Sequence, residues 1–210
     1  MKRKVVFLLT IVIVLILSIL LIFFLKTDYK LFKFGNNMNI KSIKDIDEYI
    51  LNIESYQVIA EIIVESNKNE SKYIVKQKYI RDEKTYLQEC IEPESILGLT
   101  FTHKNGELKI ENTKLKLTKI YEDYPYITEN NLSLVAVFSD YLGGKESKCY
   151  EEKDSFILET KQRNGNKYTY SKKLYIDKET GKPSKLEVRD ITQKTLIHIL
   201  YSDVKINDLH

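Results

Sequence analysis

Apolar and polar residues alternate along most of the chain after residue 55, and this pattern predicts β-strands. In the first run, Tyr56, Val58 and Ala60 begin a series of apolar positions that continues at Ile62 and Val64. The other predicted strands span residues 72–79, 84–91, 97–103, 108–110, 115–120, 155–161, 168–177, 185–190 and 195–201. About nine or ten strands in antiparallel order are therefore expected.

Short polar segments between these runs predict the turns. Asn105 and Gly106 separate two apolar runs, and an Asn-Gly pair suits the positive φ angles of a two-residue hairpin loop. Residues 67–70, 164–165, 180–181 and 192–194 provide further polar connectors. The connections are short enough for neighbouring strands to pair as hairpins.

Helical spacing of apolar residues interrupts the strand pattern twice. Ser42 can cap a helix with Asp45 three positions on, and the apolar residues that follow are Ile43, Ile46, Ile50 and Ile53. The second helix has its apolar positions at Leu134, Val135, Phe138, Tyr141 and Leu142. Its candidate N-caps are Asn130, Asn131 and Ser133, and Gly143-Gly144 ends it.

These elements predict a mainly β domain of the α+β class. A long antiparallel sheet can curl and leave one concave apolar face, which a helix covers. We expect the helix around residues 134–142 to pack its apolar face into this hollow, because its stripe is broad enough for a core.

A separate apolar segment precedes the domain. Lys2, Arg3 and Lys4 are followed by an uncharged run at residues 5–25 and by Lys26. At 1.5 Å per residue the run extends roughly 31 Å, the thickness of a bilayer core. A cleaved signal peptide is the alternative, but the run is long and lacks a small-residue cleavage site. We expect a transmembrane anchor in residues 1–26, a linker in 27–41 and an extracytoplasmic domain in 42–210, with the N-terminus cytoplasmic.

The charge balance argues against nucleic acid as a partner. Four of the 33 basic side chains flank the apolar segment, so those remaining are matched by the 30 acidic side chains. A nearly neutral domain offers no electrostatic basis for binding a phosphate backbone.

Catalytic and metal-binding patterns are not visible in the sequence. His103, His198 and His210 have no metal-ligand spacing, and we interpret the first two as surface or rim residues. There is no nucleophile elbow or glycine-rich phosphate loop. The acidic group at residues 151–154 is typical of a solvated connector. We therefore expect a non-enzymatic protein without a metal or cofactor.

Two residue types leave alternatives open. Cys90 and Cys149 can form a disulfide in an oxidising compartment, or they can be two small, part-buried apolar side chains. The 15 tyrosines, many on strands, suit either a half-buried sheet or the margin of a binding surface.

Several segments resemble the LolA-like lipoprotein-carrier superfamily. They are residues 174–183 (LYIDKETGKP), 186–188 (LEV) and 201–207 (YSDVKIN). Residues 92–94 (EPE), which lead to 97–100 (LGLT), resemble its GerS-like, germination-related branch. These are strand and turn patterns without catalytic content, and the resemblance covers roughly residues 42–207.

The resemblance implies a strongly curved antiparallel sheet, an unclosed barrel with about two packed helices. In carriers of this superfamily the hollow accepts lipid acyl chains. The GerS-like branch is instead implied to support a cell-wall amidase that processes spore-cortex peptidoglycan. We therefore expect a membrane-anchored accessory protein with a protein partner, and an acyl-chain or lipoprotein carrier is the alternative. The transmembrane helix predicted at residues 5–25 departs from the GerS-like branch, because members of that branch are expected to carry a lipid on an N-terminal cysteine.

Overall fold

The computed structural model describes residues 40, 42–66, 68–124, 132–163 and 165–208. The chain divides into two units, Met1–Asn37 and Met38–His210, and every described residue belongs to the second. No helix among the described residues is long and apolar enough to cross a membrane. The predicted anchor at residues 5–25 lies outside the described residues, as does the predicted linker except Ile40, which is buried in the core.

Eleven strands within the described residues form one antiparallel sheet. They are β1 (Ser55–Glu65), β2 (Glu70–Ile80), β3 (Thr85–Glu92), β4 (Leu99–Lys104), β5 (Glu107–Asn112), β6 (Leu117–Tyr121), β7 (Lys148–Glu152), β8 (Ser155–Lys161), β9 (Ser171–Asp177), β10 (Pro183–Arg189) and β11 (Thr195–Ile206). The strand order is β6-β5-β4-β3-β2-β1-β11-β10-β9-β8-β7. The curved sheet is unclosed, with β6 and β7 at its two edges.

The strand predictions are confirmed except in number and extent. Strand β7 was predicted as part of a polar connector, which is wrong. Its sequence, Lys-Cys-Tyr-Glu-Glu, has only two apolar residues, and they are adjacent, so it shows no alternation. Strand β11 continues five residues beyond its predicted end at residue 201 and pairs Ile206 with Tyr56 of β1.

Alternation along the strands separates a concave face from a convex one. On β1, Tyr56, Val58, Ala60 and Ile62 are buried in the core, as the sequence predicted. Their counterparts on β2 include Val75 and Gln77, which are also buried. We call the space on this concave side the hollow.

Helix α1 (Ile46–Leu51) lies at the start of the domain and follows a single 3₁₀ turn at Ile43–Asp45. The predicted cap is confirmed, because the backbone N–H of Ser42 donates to Asp45 Oδ2 at 2.9 Å. The Tyr49 hydroxyl donates to the Gly181 carbonyl at 2.7 Å and ties α1 to the turn between β9 and β10. Ile43 differs from the prediction: its side chain is 39% exposed, and it precedes the α-helix.

Helix α2 (Leu134–Gly143) packs its apolar face into the hollow, which confirms the predicted packing. Ser133 is its N-cap and accepts a hydrogen bond from the Ala136 N–H at 3.2 Å. Leu134 and Phe138 are buried in the core with Val137, which the predicted stripe did not include. Leu142 was predicted to be part of this face, but it is exposed near the helix end.

The Asn105-Gly106 hairpin joins β4 to β5 as predicted. Both residues have positive φ angles, 52° for Asn105 and 86° for Gly106. This is the backbone geometry of a two-residue loop that matches the twist of its strands. Asn105 and Gly106 also line a cavity beside His103.

Candidate binding surfaces of the curved sheet

The hollow is filled by the protein's own side chains across most of the described sheet. Tyr56 of β1 and Tyr86 of β3 are almost completely buried there, together with Leu174 of β9. Helix α2 adds Val137 and Phe138 from above the sheet. This part of the concave face is therefore a packed core.

Side chains cover the concave face less densely toward β6. Leu99 and Phe101 of β4 lie on the concave face but are only half-buried. The strand register places Phe101 beside Ile110 of β5, which lies beside Lys119 of β6. The five residues of β6 are all exposed. The β4–β6 part of the concave face is thus the least covered by described residues.

A cavity of about 450 Å³ lies at the rim of the hollow. It is lined by Tyr79, Lys84, His103, Asn105 and Gly106, which come from β2, β4 and two hairpin turns. His103 is a rim residue as predicted, but it is buried rather than exposed. Its Nε2 atom lies 3.1 Å from the Tyr124 carbonyl oxygen. The hydrogen bond and the burial indicate a structural role for this imidazole.

A buried ion pair fixes α2 in the hollow. The Nζ atom of Lys172, on β9, lies 2.8 Å from Oδ2 of Asp140, on α2, and the lysine side chain is fully buried. Burial lowers the pKa of Lys172, and the Asp140 carboxylate opposes this effect. The sequence interpretation missed this pair. The available signal was a lysine in phase with the apolar positions Leu174 and Ile176.

Two further polar side chains are buried in the hollow. Gln77 Nε2 donates to the Leu132 carbonyl at 3.3 Å, while its Oε1 atom has no partner among the described residues. The Tyr201 hydroxyl likewise has no partner within the described part of the chain. Burial raises the pKa of Tyr201 far above its usual range, so the phenol is neutral.

The convex face carries a network of tyrosines and charges on β7–β10. Ile157 is fully buried there, between its register partners Tyr150 and Tyr175. The Tyr175 hydroxyl donates to Glu187 Oε1 at 3.3 Å, and Lys185 Nζ lies 2.6 Å from the same oxygen. These contacts give the convex face an amphipathic surface of the kind that is common at protein interfaces.

Glu187 is the centre of this network. Its carboxylate is buried, and Arg189 also contacts it, through Nε at 3.2 Å. Burial raises the pKa of Glu187, but the bonds from Lys185 and Arg189 outweigh that effect and the net shift is downward. The carboxylate is therefore ionised and satisfied by protein groups.

The two sheet edges differ in character. At β7, Lys148, Glu151 and Glu152 are exposed charges, which protect an edge from pairing with another chain. At β6, Leu117 is 63% exposed and Ile120 is 51% exposed. Apolar side chains on an exposed edge strand favour association with another chain. The β6 edge is therefore the less protected of the two.

The two cysteines are free and are not bonded to each other. Cys90 lies on β3 and Cys149 on β7, with six strands between them in the sheet order. Cys90 is buried and Cys149 is half-buried. Cys90 belongs to the core cluster, and Cys149 packs against that cluster.

The remaining polar residues singled out in the sequence are dispersed. His198 Nε2 lies 3.3 Å from Glu65 Oε1 on neighbouring strands, and His210 lies outside the described residues. Glu151 pairs with Lys178 at 2.9 Å. No group of three or more metal-ligating side chains in the described part of the chain could hold a metal ion.

Several solved structures resemble this one. An uncharacterized conserved protein from Thermus thermophilus is 12% identical, with a TM-score of 0.52 over 80% of this chain and 87% of that chain. A chain in the structure of the CwlD amidase from Clostridioides difficile in complex with the GerS lipoprotein is 24% identical, with a TM-score of 0.51 over 80% and 95%. A LolA superfamily protein from Nitrosomonas europaea is 14% identical, with a TM-score of 0.42 over 80% and 93%.

At these identities the first two structures show a shared fold. No curated protein matches the sequence significantly. The family model for YdcC-like sporulation proteins matches residues 8–209, nearly the whole chain. The resemblance drawn from the sequence is therefore confirmed in fold and in its link to sporulation. The chain belongs to the YdcC-like family of sporulation proteins.

Proposed function

We propose that this protein is a non-catalytic binding protein whose partner is a cell-wall amidase in sporulation or germination. The observation that carries the proposal is the packed hollow. Tyr56, Tyr86 and Phe138 occupy the space in which a carrier of this fold would hold acyl chains. Binding then takes place on the convex face or at an edge, where a protein can dock.

The family and one structural relative support an amidase as the partner. The chain belongs to a sporulation family, and a protein chain with the same fold occurs in a complex of the CwlD amidase with the GerS lipoprotein. The outer surfaces have suitable chemistry for a protein partner. Tyrosine and arginine are enriched in interface hot spots, and Tyr150, Tyr175 and Arg189 lie together on the convex face.

We further propose that the domain is held at the outer surface of the cell membrane by the helix predicted at residues 5–25. The three basic residues before it favour a cytoplasmic N-terminus. An anchored domain can meet a wall enzyme beside the membrane but cannot carry lipids between two membranes. The anchor therefore agrees better with an accessory role than with shuttling.

Binding to the purified cell-wall amidase of the same organism tests the proposal. Full-length protein in detergent micelles is immobilised through a C-terminal tag, and the amidase is titrated over it. We expect a saturable one-to-one complex with a Kd of about 1 µM or tighter. Failure to saturate at tens of micromolar would contradict the proposal. An unrelated wall hydrolase of similar charge is the control.

Binding of acyl chains is the second candidate function. The cavity of about 450 Å³ beside Tyr79 and His103, together with the half-buried Phe101, favours it. A photoactivatable fatty acid distinguishes the two functions, because the cross-linked peptides identify its position. Labelling of β4 and β5 would support the carrier, whereas labelling confined to residues 5–25 would reflect the anchor.

A further inference from the structure

Strand β6 (Leu117–Tyr121) has an unoccupied side in the described sheet. It pairs with β5, and the paired residues run from Leu108 opposite Tyr121 to Asn112 opposite Leu117. No other described strand pairs with β6. Within the described part of the chain, the N–H and C=O groups on the outer side therefore have no partner strand. In one common mode of peptide recognition, an extended peptide pairs with such an exposed edge strand and adds a strand to the sheet.

The described residues that follow β6 turn away from this outer side. The Tyr124 N–H donates to the Gly106 carbonyl at 2.8 Å, and the Tyr124 carbonyl lies 3.1 Å from His103 Nε2. At the next described segment, the Leu132 carbonyl accepts from Gln77 on β2. Both segments contact inner strands, so neither covers the β6 edge.

Exposed leucines lie at one end of this edge. Leu115 and Leu117 are 65% and 63% exposed, and Leu97 is also exposed. The loop that contains Leu97 is held against the β5–β6 turn, since the Thr113 N–H donates to the Gly98 carbonyl at 3.1 Å. The contact brings the loop and the turn together and gives the edge an apolar end.

The segment at residues 114–121 carries three lysines and no acidic residue, and Glu122 and Asp123 follow it. Lys114, Lys116 and Lys119 make no ion pair with any described residue, whereas Lys109 on neighbouring β5 pairs with Glu111 at 2.9 Å. Lys119 Nζ lies 4.7 Å from the centre of the Tyr121 ring. Unpaired lysines beside open backbone groups favour an added strand that carries carboxylates.

A second copy of this chain is a poor occupant. Antiparallel pairing of β6 with itself about its central residue would place Lys119 opposite Lys119 of the other copy. Like charges directly opposite each other destabilise a strand pair. The charge of the edge therefore favours a different chain.

We propose that the β6 edge binds an extended, acidic and apolar segment of the partner protein, which adds to the sheet as a twelfth strand. The proposal deepens the proposed function, because it assigns the surface that the amidase would occupy. On the concave side, a carboxylate of the segment would lie beside Lys119, and on the opposite side an apolar residue would cover Ile120.

Three edge variants and one control variant of the full-length chain are tested against the purified cell-wall amidase. Lys114→Glu, Lys116→Glu and Lys119→Glu together reverse its charge, and Lys44→Glu, Lys145→Glu and Lys194→Glu together make a control at exposed lysines elsewhere. Pro is placed separately at Thr118 and Lys119, since consecutive N–H groups point to opposite sides of a strand. Pro removes a backbone N–H group, and only an N–H that points toward β5 contributes to the sheet. The Pro variant that retains the parent melting temperature is therefore the one that has lost an outward N–H group.

We expect the charge reversal and the stable Pro variant each to weaken amidase binding about tenfold or more, with no effect from the control. Equal binding by the parent and both edge variants would overturn the edge assignment and leave the proposed function intact.

A synthetic eight-residue peptide of alternating Glu and Val tests the edge without the amidase. NMR shifts confined to residues 115–121 and lost in the charge-reversed variant would support the edge assignment. If the amidase failed to bind in the same preparation, only the proposed function would be refuted. Equal binding of a Lys-Val peptide, or shifts elsewhere, would overturn the assignment. Concentration-dependent dimerisation abolished by the edge variants would also overturn it in favour of a second copy.

Discussion

The fully buried ammonium group of Lys172 lies 2.8 Å from the Asp140 carboxylate and joins β9 to α2 across the hollow. The Asp140 backbone carbonyl also accepts a hydrogen bond from the Thr160 hydroxyl of β8, at 3.1 Å. One residue of the helix is therefore bonded to two neighbouring strands. The pair specifies the position of α2 on a mostly apolar face, because an ion pair is more directional than apolar packing.

Removing one partner of this ion pair should destabilise the fold strongly. Asp140→Asn leaves a buried ammonium without a counter-charge, and we expect a loss of about 3–5 kcal/mol in the free energy of unfolding. The double variant Asp140→Leu with Lys172→Met should recover most of this loss. Urea unfolding of the parent, Asp140→Leu, Lys172→Met and the double variant measures the coupling, and additive losses would show that the two groups act independently.

Phe138→Ala tests the packing of α2 into the hollow. The side chain is 5% exposed, so its removal should cost about 3–5 kcal/mol through lost burial and a residual cavity. Leu142→Ala on the same helix is the matched control, because Leu142 is exposed and should change stability little. If Phe138→Ala melted like the parent but lost partner binding, the helix would be a functional surface.

The Cys149 thiol should be slow to react at neutral pH. Burial raises its pKa to about 11, and the Tyr141 hydroxyl only partly opposes this shift. In a Cys90→Ala background, alkylation of the folded protein should be slow at pH 8 and accelerate as the pH approaches 11. Protein unfolded in urea is the reference. Rapid alkylation of the folded protein at pH 8 would contradict the assigned environment.

Glu187 should contribute a pH-dependent part of the stability. Its folded-state pKa lies below the ordinary 4.5, so its contribution is complete above that value and is lost as the pH falls through the folded pKa. Glu187→Gln should therefore cost about 1–3 kcal/mol at pH 7. The difference from the parent should shrink on acidification toward pH 3. A constant difference in urea unfolding at both pH values would exclude this role.

Most of the fold follows from local pattern. Alternation in β1 and the Asn105-Gly106 loop predict their elements directly, because period and turn chemistry are local properties. Strand β7 escapes prediction, since Cys149 and Tyr150 are adjacent and one of them faces the convex side. Its place in the sheet is determined by pairing with β8.

The candidate surfaces are harder to predict, because they depend on distant residues. Lys172 and Asp140 are 32 positions apart, and their pairing depends on the way α2 crosses the sheet. The open edge at β6 is visible only when the order of all eleven strands is known. The lysines and leucines of residues 114–120 were apparent in the sequence, but their exposure was not.

Photo-cross-linking from defined positions tests most directly whether the partner is a protein on the outer surface. p-Benzoylphenylalanine is introduced into the full-length chain at Ile120 on the β6 edge, at Leu200 on the convex face, or at Phe101 in the hollow, in membranes that contain the cell-wall amidase. We expect amidase adducts from Ile120 or Leu200 and none from Phe101. Lipid adducts from Phe101, with no amidase adduct from either outer position, would contradict this expectation.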